Sequence, residues 1–331
     1  MRLIQFTQQG HRHVGVVDED SVKVVDQVAT VYELALQADQ SETNLASIIA
    51  EKSFSGSVRY ADLIRERRLL APLDHPDPAH QSVTGTGLTH LGSAQARDSF
   101  HADSTEQTHE PETDSMKLFR MGIDGGKPPA GQVSVQPEWF YKGSGYNVVA
   151  PEQELPVPDF ALDGGEEAEI AGLYVIGQSG RVLRVGFALG NEFSDHIMER
   201  QNYLYLAHSK LRACSYGPEL LVGELPHHVE GQVRILRDGV ELWQDRFLTG
   251  EQNMSYNIRD LEHHHFKYPG FRIPGDVHCH FFGTASLSIS AGIRIQQNDV
   301  VEIVSTVFGR PLRNCIGGSG ASAEVVRCRP L

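Results

Sequence analysis

The chain has 331 residues, of which 29 are basic and 43 acidic, so its formal net charge is −14 at pH 7. Apolar residues make up 40% and charged residues 22% of the chain, a composition that excludes collagen, coiled-coil and globally disordered proteins. The acidic balance disfavours general binding to nucleic acids or anionic membranes, because contacts to phosphates need Lys and Arg.

The four cysteines are spread along the sequence without a C-x-x-C pair, which is typical of reduced thiols in a cytosolic protein. The first residues lack the long apolar stretch of a secretory signal, and no run approaches about 18 apolar residues. We therefore expect a cytoplasmic protein without a membrane span. The length of the chain suggests about two domains.

Residues 1–75 predict a small N-terminal α/β module. The segments RLIQF and HVGVV alternate as short antiparallel strands, and QQGHR between them supplies the turn. Residues 29–52 and 57–67 have the apolar spacing of helices. The stretch 71–81 holds three prolines, so we expect a boundary there and a second domain over residues 76–331.

The second domain is predicted to be α+β and rich in strands. Its polar stretch 96–117 predicts a solvated loop, although a lid beside a binding site is an alternative. From about residue 118 short strands alternate with Gly and Pro turns, and one helix is expected over 191–210. GQSGR and RDGVE have the composition of hairpin turns.

Two carboxylates stand at the start of a long apolar strand, Glu167 and Glu169 in GEEAEIAGLYVIG. Residues two apart on a strand point to one face, about 6.5–7 Å apart, so both can approach one cation. Two unpaired carboxylates are costly to bury, and a metal ion removes their repulsion. The alternative is a solvated turn, because the E-x-E pattern is common.

A third carboxylate follows one hairpin later at Glu192, with Asp195 nearby as an alternative. If the two strands are neighbours, Glu192 can reach the same point as the first two carboxylates. Three oxygen ligands without a thiolate suit Mg²⁺, Mn²⁺ or Ca²⁺ better than zinc. Mg²⁺ would keep open positions for water and substrate.

The order of these motifs resembles the fumarylacetoacetate hydrolase superfamily. AHSKLRACSYGPELL is similar to its Lys-bearing segment, and IPGDVHCHFFGTASLS to its turn that ends in Gly-Thr. QQNDVVEIVSTVFGRPLRN resembles its closing strand, and PEWFYKGSGYNVV its Phe-x-Lys substrate strand. The resemblance covers residues 85–318 and implies a mixed β-sandwich roll that forms a homodimer.

The resemblance also implies roles for single residues. The metal ligands would be Glu167, Glu169 and Glu192, the catalytic groups Lys210 and Glu192, and the substrate contacts Lys142, Gly283 and Thr284.

Two departures from the family pattern bear on the chemistry. The third ligand is usually Asp in the family, and here it is Glu192, which is one methylene longer. Hydrolases of the family carry a His and a Glu that activate water, and residues 84–101 show no clean copy of that pair. The weak substitutes are His90, His101 and Glu106.

A divalent ion with open positions can chelate a 2-keto acid and stabilise the enolate that forms when a C3 proton is lost. Lys210 could be the base, since a desolvated lysine can reach a pKa of about 7–8, or it could be only a fixed cation. Loss of a C4 hydroxyl then gives dehydration, whereas water attack on a second carbonyl cleaves a C–C bond.

The missing His–Glu pair favours dehydration, and HSKLRACSYGPELL resembles the 2-keto-3-deoxy-pentonate dehydratases of the superfamily. We therefore predict a metal-dependent hydro-lyase that forms 2,5-dioxopentanoate in sugar-acid catabolism. One alternative is a hydrolase of a 2,4-diketo-3-deoxy acid. Another is a keto-acid-binding member of the fold without turnover.

The histidines at 263–265, His278 and His280 invite a zinc hypothesis. If both segments are strands, only residues two apart share a face, so each segment offers one pair. No cysteine or acidic spacing completes a zinc motif. Packing near the site is the preferred interpretation, and service as the missing acid or base is the alternative.

Overall fold

The computed structural model of the protein describes residues 1–92, 113–318 and 325–331. Most of the loop predicted at 96–117 lies outside the described residues. His101 and Glu106, the two weak candidates for a water-activating pair, lie outside them as well.

Strands dominate the described part of the chain. Its β-strands are β1 (Arg2–Gln8), β2 (His11–Asp18), β3 (Ser21–Val25), β4 (Phe54–Arg59), β5 (Leu69–Leu70), β6 (Gln81–Gly85), β7 (Phe140–Ser144), β8 (Val148–Val149), β9 (Glu154–Leu155), β10 (Ala168–Ile176), β11 (Val182–Asn191), β12 (Cys214–Tyr216), β13 (Leu220–Leu221), β14 (Val229–Arg237), β15 (Val240–Thr249), β16 (Val277–Phe281), β17 (Val300–Ser305) and β18 (Leu312–Ile316). Its α-helices are α1 (Val31–Gln40), α2 (Leu45–Ala50), α3 (Tyr60–Arg65), α4 (Asp114–Gly125), α5 (His196–Gln201), α6 (Leu206–Ser209) and α7 (Ile258–Phe266). Short 3₁₀ helices span Pro78–His80, Gly145–Asn147, Tyr203–Tyr205, Glu251–Asn253, Pro269–Phe271 and Ser288–Ala291.

The strands form two mixed sheets. The larger sheet has the order β4-β3-β2-β1-β13-β11-β10-β16-β6-β7, and β5, β8 and β12 join it off this path. The smaller sheet has the order β15-β14-β17-β18-β9. Parallel pairs such as β16–β6 occur beside antiparallel hairpins such as β10–β11. This arrangement confirms the predicted α+β, β-rich fold class.

Two hydrophobic clusters hold the two sheets and the helices α1 and α2 together. One lies between the larger sheet and helices α1 and α2, where Leu34 and Ile48 belong to the same cluster as Val277. The other fills the space between the two sheets, with Phe187 on β11 and Ile303 on β17. Each such side chain contributes roughly 1.5–3 kcal/mol on burial, so the clusters stabilise the contact between layers.

The sheet and the core both cross the boundary predicted near residue 75. Leu3 on β1 pairs with Leu220 on β13, so the N-terminal strands continue the larger sheet. Leu3 also shares a hydrophobic cluster with Phe281 on β16. The division into residues 1–75 and 76–331 stays a prediction, but the two parts share one sheet.

Several predicted helices are interrupted in the structure. The helix expected over 29–52 is two helices, because the Asn44 side chain accepts a hydrogen bond from the Ser47 N–H and starts α2. Residues 57–67 hold the end of β4 followed by α3. Asn202, with an extended backbone, separates α5 from the 3₁₀ helix that follows it. The spacing of apolar residues does not predict such local capping hydrogen bonds.

The strand interpretation of the histidines at 263–265 is wrong, because they lie in helix α7. Leu261 and His265 are buried four residues apart, which is the spacing of one helical face. His278 and His280 do lie on a strand, β16, and both rings approach His265.

Candidate active site

The β10–β11 hairpin brings the three predicted carboxylates together. Ala168 pairs with Asn191 at the open end of the hairpin, so Glu169 lies beside the strand end that leads into Glu192. The Glu192 N–H donates to the Glu167 carbonyl at 3.0 Å. One carboxylate oxygen from each of the three residues lies within 4.8 Å of the others. All three are buried, so the alternative of a solvated turn is wrong.

The three carboxylates differ in their electrostatic surroundings. Burial and the neighbouring charges of Glu192 and Glu167 raise the pKa of Glu169 well above its ordinary value. Burial raises the pKa of Glu192 to about 6, although Lys142 and Lys210 act against it. Burial alone would raise the pKa of Glu167, but Lys210 and His196 outweigh it and hold the pKa below its ordinary value.

Lys210 lies at the centre of this carboxylate group. Its ammonium donates to Glu167, to Glu192 Oε2 at 2.6 Å and to Ser194 Oγ at 3.1 Å. Burial lowers the pKa of Lys210, but the two carboxylates outweigh burial and raise it well above its ordinary value. The expectation of a lowered pKa is therefore wrong for this arrangement of charges, and the choice between a base and a fixed cation stays a prediction.

Lys142 contacts the trio through the Glu192 oxygen that Lys210 does not bind. Its side chain is fully buried and its ammonium lies 2.5 Å from Glu192 Oε1. It also donates to the Phe193 carbonyl and, at 3.1 Å, to the Lys210 carbonyl. These acceptors match the three donors of an ammonium group, so Lys142 orients Glu192 and the Lys210 backbone. Its predicted contact with substrate stays a prediction.

The Gly-Thr turn after β16 lies against Glu169. The Gly283 N–H donates to Glu169 Oε2 at 2.8 Å, and Gly283 has a φ of 101°, which favours glycine. The half-buried Thr284 hydroxyl donates to the Ala168 carbonyl at 3.0 Å. The turn is thus placed beside the carboxylates, and the Gly283 amide orients one of them.

Asp195 is not one of the converging carboxylates. It caps helix α5 by accepting from the Met198 N–H at 2.9 Å, and it pairs with Arg212 at 2.9 Å. The next residue, His196, was missed as a site residue although it stands in the motif. Its Nε2 lies 3.1 Å from Glu167 Oε1. Its position four residues after Glu192 is the sequence signal that could have identified it as a site residue.

The other buried candidate histidines, His90, His265, His278 and His280, make their hydrogen bonds to groups outside the trio. His90 contacts the Thr249 hydroxyl at 2.8 Å, and burial lowers the pKa of His90 to about 4. His265 Nε2 lies 3.0 Å from His278 Nδ1, and His280 Nδ1 lies 2.8 Å from the Thr84 hydroxyl. Within the described residues, the glutamate trio is the one group whose ligand atoms converge as a metal site requires.

Comparisons with known proteins identify the fold. No family model matches the chain. The solved fumarylacetoacetate hydrolase from the psychrophilic Exiguobacterium antarcticum aligns with 96% of this chain and 99% of its own, with a TM-score of 0.58 and 15% identity. The chain therefore has the fold of the fumarylacetoacetate hydrolase superfamily, as the motifs predicted.

Within this fold the chain is similar to sugar-acid dehydratases. A structure of 2-keto-3-deoxy-D-arabinonate dehydratase with magnesium and 2,5-dioxopentanoate has a TM-score of 0.70 over 96% of this chain and 99% of that one, at 17% identity. A Haloferax volcanii protein described as a probable 2-keto-3-deoxyxylonate dehydratase is 26% identical over 227 residues, which are 67% of this chain and 68% of the relative. The predicted resemblance to this branch is confirmed.

No helix in the described part of the chain has the length and apolar character that crossing a membrane requires.

Proposed function

We propose that the protein is a divalent-metal-dependent hydro-lyase of the fumarylacetoacetate hydrolase superfamily. Its substrate would be a 2-keto-3-deoxy pentonate and its product 2,5-dioxopentanoate, as part of sugar-acid catabolism. The observation that carries the proposal is the buried, converging trio Glu167, Glu169 and Glu192 beside two lysines. The similarity to two pentonate dehydratases supports the choice of substrate class.

The trio fits a hard divalent cation. It offers oxygen ligands only. The raised pKa of Glu169 reflects burial and, after it, repulsion from Glu192 and Glu167, which a cation would relieve. We propose Mg²⁺, with Mn²⁺ or Ca²⁺ as substitutes, held by Glu167, Glu169 and Glu192. When bound, such an ion polarises the keto group of a 2-keto acid and so acidifies its C3 protons.

The residues around the trio have separate tasks in this proposal. Lys142 and Ser194 hold Glu192, and the Gly283 amide holds Glu169. Lys210 would carry the C3 proton, since a cation bound to Glu167 and Glu192 would offset the two charges that raise its pKa. Thr284 would contact the substrate carboxylate from the turn beside Glu169.

Two alternatives are kept as outcomes of the test. A hydrolase of a 2,4-diketo-3-deoxy acid is the second candidate, because fumarylacetoacetate hydrolase shares the fold. A keto-acid-binding protein without turnover is the third, and the retained trio with both lysines counts against it.

Proton NMR in D₂O with Mg²⁺ separates these functions. The protein is mixed with 2-keto-3-deoxy-pentonates and, separately, with a 2,4-diketo-3-deoxy acid. We expect 2,5-dioxopentanoate from the first mixture. Pyruvate and a hydroxy acid from the second mixture would instead indicate the hydrolase, and bound substrate without C3 exchange or product would indicate the binding protein.

We further propose a homodimer in the cytoplasm, with a small-molecule substrate and no nucleic-acid or membrane partner. The homodimer is taken from family analogy, and sedimentation equilibrium should give twice the chain mass of 36.6 kDa. The cytoplasmic location is supported by four cysteines that are all free thiols. A disulfide in the protein purified from its own cells would contradict that location.

A further inference from the structure

His196 and Lys210 both bind the same oxygen atom of Glu167. His196 Nε2 lies 3.1 Å from Glu167 Oε1, and the Lys210 ammonium donates to that same Oε1. The other oxygen, Oε2, receives neither of these two hydrogen bonds. The two donors therefore hold the Glu167 carboxylate in one orientation, and Oε2 is the oxygen that Glu167 can offer to a cation.

Only one ring nitrogen of His196 takes part in this interaction. The side chain is buried, and among residues 1–92, 113–318 and 325–331 its Nδ1 has no hydrogen-bond partner. Leaving a buried polar atom without a partner is destabilising, so packing alone would favour an apolar residue at this position. What the imidazole contributes is its contact with Glu167.

Gly165 makes room for the His196 ring. A Cβ on Gly165 would lie 2.2 Å from Nδ1 and 2.4 Å from Cε1 of His196, and the three atoms closest to that Cβ all belong to this ring. Gly165 is not one of the glycines with a positive φ. An alanine at this position would therefore displace the imidazole rather than strain the backbone.

The two donors to Glu167 Oε1 differ in what else they bind. Lys210 also donates to Glu192 Oε2 at 2.6 Å and to Ser194 Oγ at 3.1 Å, so its ammonium is shared between two carboxylates of the trio. His196 binds Glu167 alone among the three. It can therefore hold Glu167 in place independently of the position of the Lys210 ammonium.

We propose that His196 is a positioning residue that sets the affinity of the trio for Mg²⁺. By holding Glu167 Oε1 it reserves Oε2 for the cation, and Gly165 provides the space that this arrangement requires. The inference rests on the proposed metal-dependent function and names the residue that orders one ligand before the metal arrives. Polar partners behind metal ligands typically account for about 10–100-fold in metal affinity.

Isothermal titration calorimetry of Mg²⁺ into the metal-free protein tests this role without substrate. His196→Leu removes the donor and keeps a side chain that can pack, and its Kd should rise by about 10–100-fold. His196→Gln keeps an amide N–H that can replace Nε2, so its Kd should stay close to that of the wild type. Unchanged affinity in His196→Leu, or equal losses in both variants, would contradict the donor role.

Gly165→Ala tests the same role with the imidazole present. Its added Cβ should displace the ring and raise the Kd for Mg²⁺. Combined with His196→Leu it should cause no further loss, because both changes act on one contact. Additive losses in the double variant would contradict the link between Gly165 and His196. His263→Leu is the control, since His263 is exposed on helix α7, and its Kd should not change.

Thermal unfolding without Mg²⁺ shows whether each variant is folded. If His196→Leu does not fold, the test rests on the other two variants: weaker binding by Gly165→Ala with wild-type binding by His196→Gln supports the proposal, and wild-type binding by both contradicts it. A wild type that binds Mg²⁺ through His196 but forms no 2,5-dioxopentanoate would contradict the dehydratase alone. A wild type that binds no Mg²⁺ would contradict both proposals.

Discussion

At the scale of single residues, the carboxylates and lysines of the site are interlocked rather than independent. Glu192 is held by Lys142 on one oxygen and by Lys210 on the other. Breaking a buried ion pair by removing one partner costs about 3–5 kcal/mol, because the other charge stays buried. Substitutions at Lys142 therefore mix stability with function. An isosteric change at Glu169, which accepts a hydrogen bond from the Gly283 amide, is a cleaner probe.

Glu169→Gln should abolish metal binding while the fold is kept. Gln can still accept from the Gly283 N–H, and it removes a carboxylate whose pKa is raised by burial and by two like charges. At 100 times its Kd, Mg²⁺ should stabilise the wild type by about 2.7 kcal/mol, and the variant should show no such gain. Thermal unfolding with and without Mg²⁺ measures this difference.

Glu166→Gln provides the control for that measurement. Glu166 is also buried, but it accepts from the Ser288 N–H at 2.8 Å and the Ser288 hydroxyl at 2.7 Å instead of joining the trio. Its variant should keep the Mg²⁺ gain. Wild-type turnover in Glu169→Gln would contradict the assignment of the metal ligands.

At the scale of elements, the two faces of strand β16 lie in different environments. Its odd-numbered residues Cys279 and Phe281 enter the hydrophobic cluster with the N-terminal helices. Its even-numbered residues His278 and His280 face His265 on α7. Burial lowers the pKa of His278 to about 4, and burial together with His278 lowers that of His280 to about 3. These imidazoles are neutral parts of the packing.

Stability should therefore fall as the pH drops from about 6.5 to about 4. The unfolded chain binds protons on these histidines below a pH of about 6.5, whereas the folded chain does not until about 4 for His278. Each such histidine contributes a slope of about 1.4 kcal/mol per pH unit in that window. Urea unfolding at a series of pH values measures the slope.

His278→Gln should reduce this slope by about 1.4 kcal/mol per pH unit, the contribution of one titrating histidine, because the amide does not titrate. His227→Gln serves as the control, since the His227 side chain is 84% exposed. Equal slopes in the wild type and in His278→Gln would contradict the assignment of acid sensitivity to this cluster.

At the scale of the whole molecule, the N-terminal segment is part of the larger sheet. β1 joins β13 at its edge, and Gln5 on β1 donates to the Ala71 carbonyl at 2.6 Å. Helix α1 packs on the sheet face that carries Val277. A chain that lacks this segment would expose an unpaired strand edge and an apolar sheet face to water.

A chain of residues 76–331 is therefore expected not to fold alone. An independent catalytic domain would fold without residues 1–75. Coexpression with residues 1–75 should restore a folded complex, because the missing strands and helices can dock on the exposed face. Circular dichroism with urea titration distinguishes these outcomes. Cooperative unfolding of isolated 76–331 would support the independent domain that the sequence predicts.

The sequence by itself determined the strand core, the hairpins and the residues that build the carboxylate site. Apolar runs and turn residues are local signals, so β10, β11 and the hairpin between them were predictable, and the ordered motifs predicted the fold of the superfamily. The tertiary structure decided what depends on distant partners. Asp195 does not converge with the three glutamates, because it pairs with Arg212 and caps helix α5. Glu167 and Glu192 raise the pKa of Lys210 against the effect of burial. The ion pair of Lys142 with Glu192 joins residues 50 positions apart, and no local pattern records such a contact.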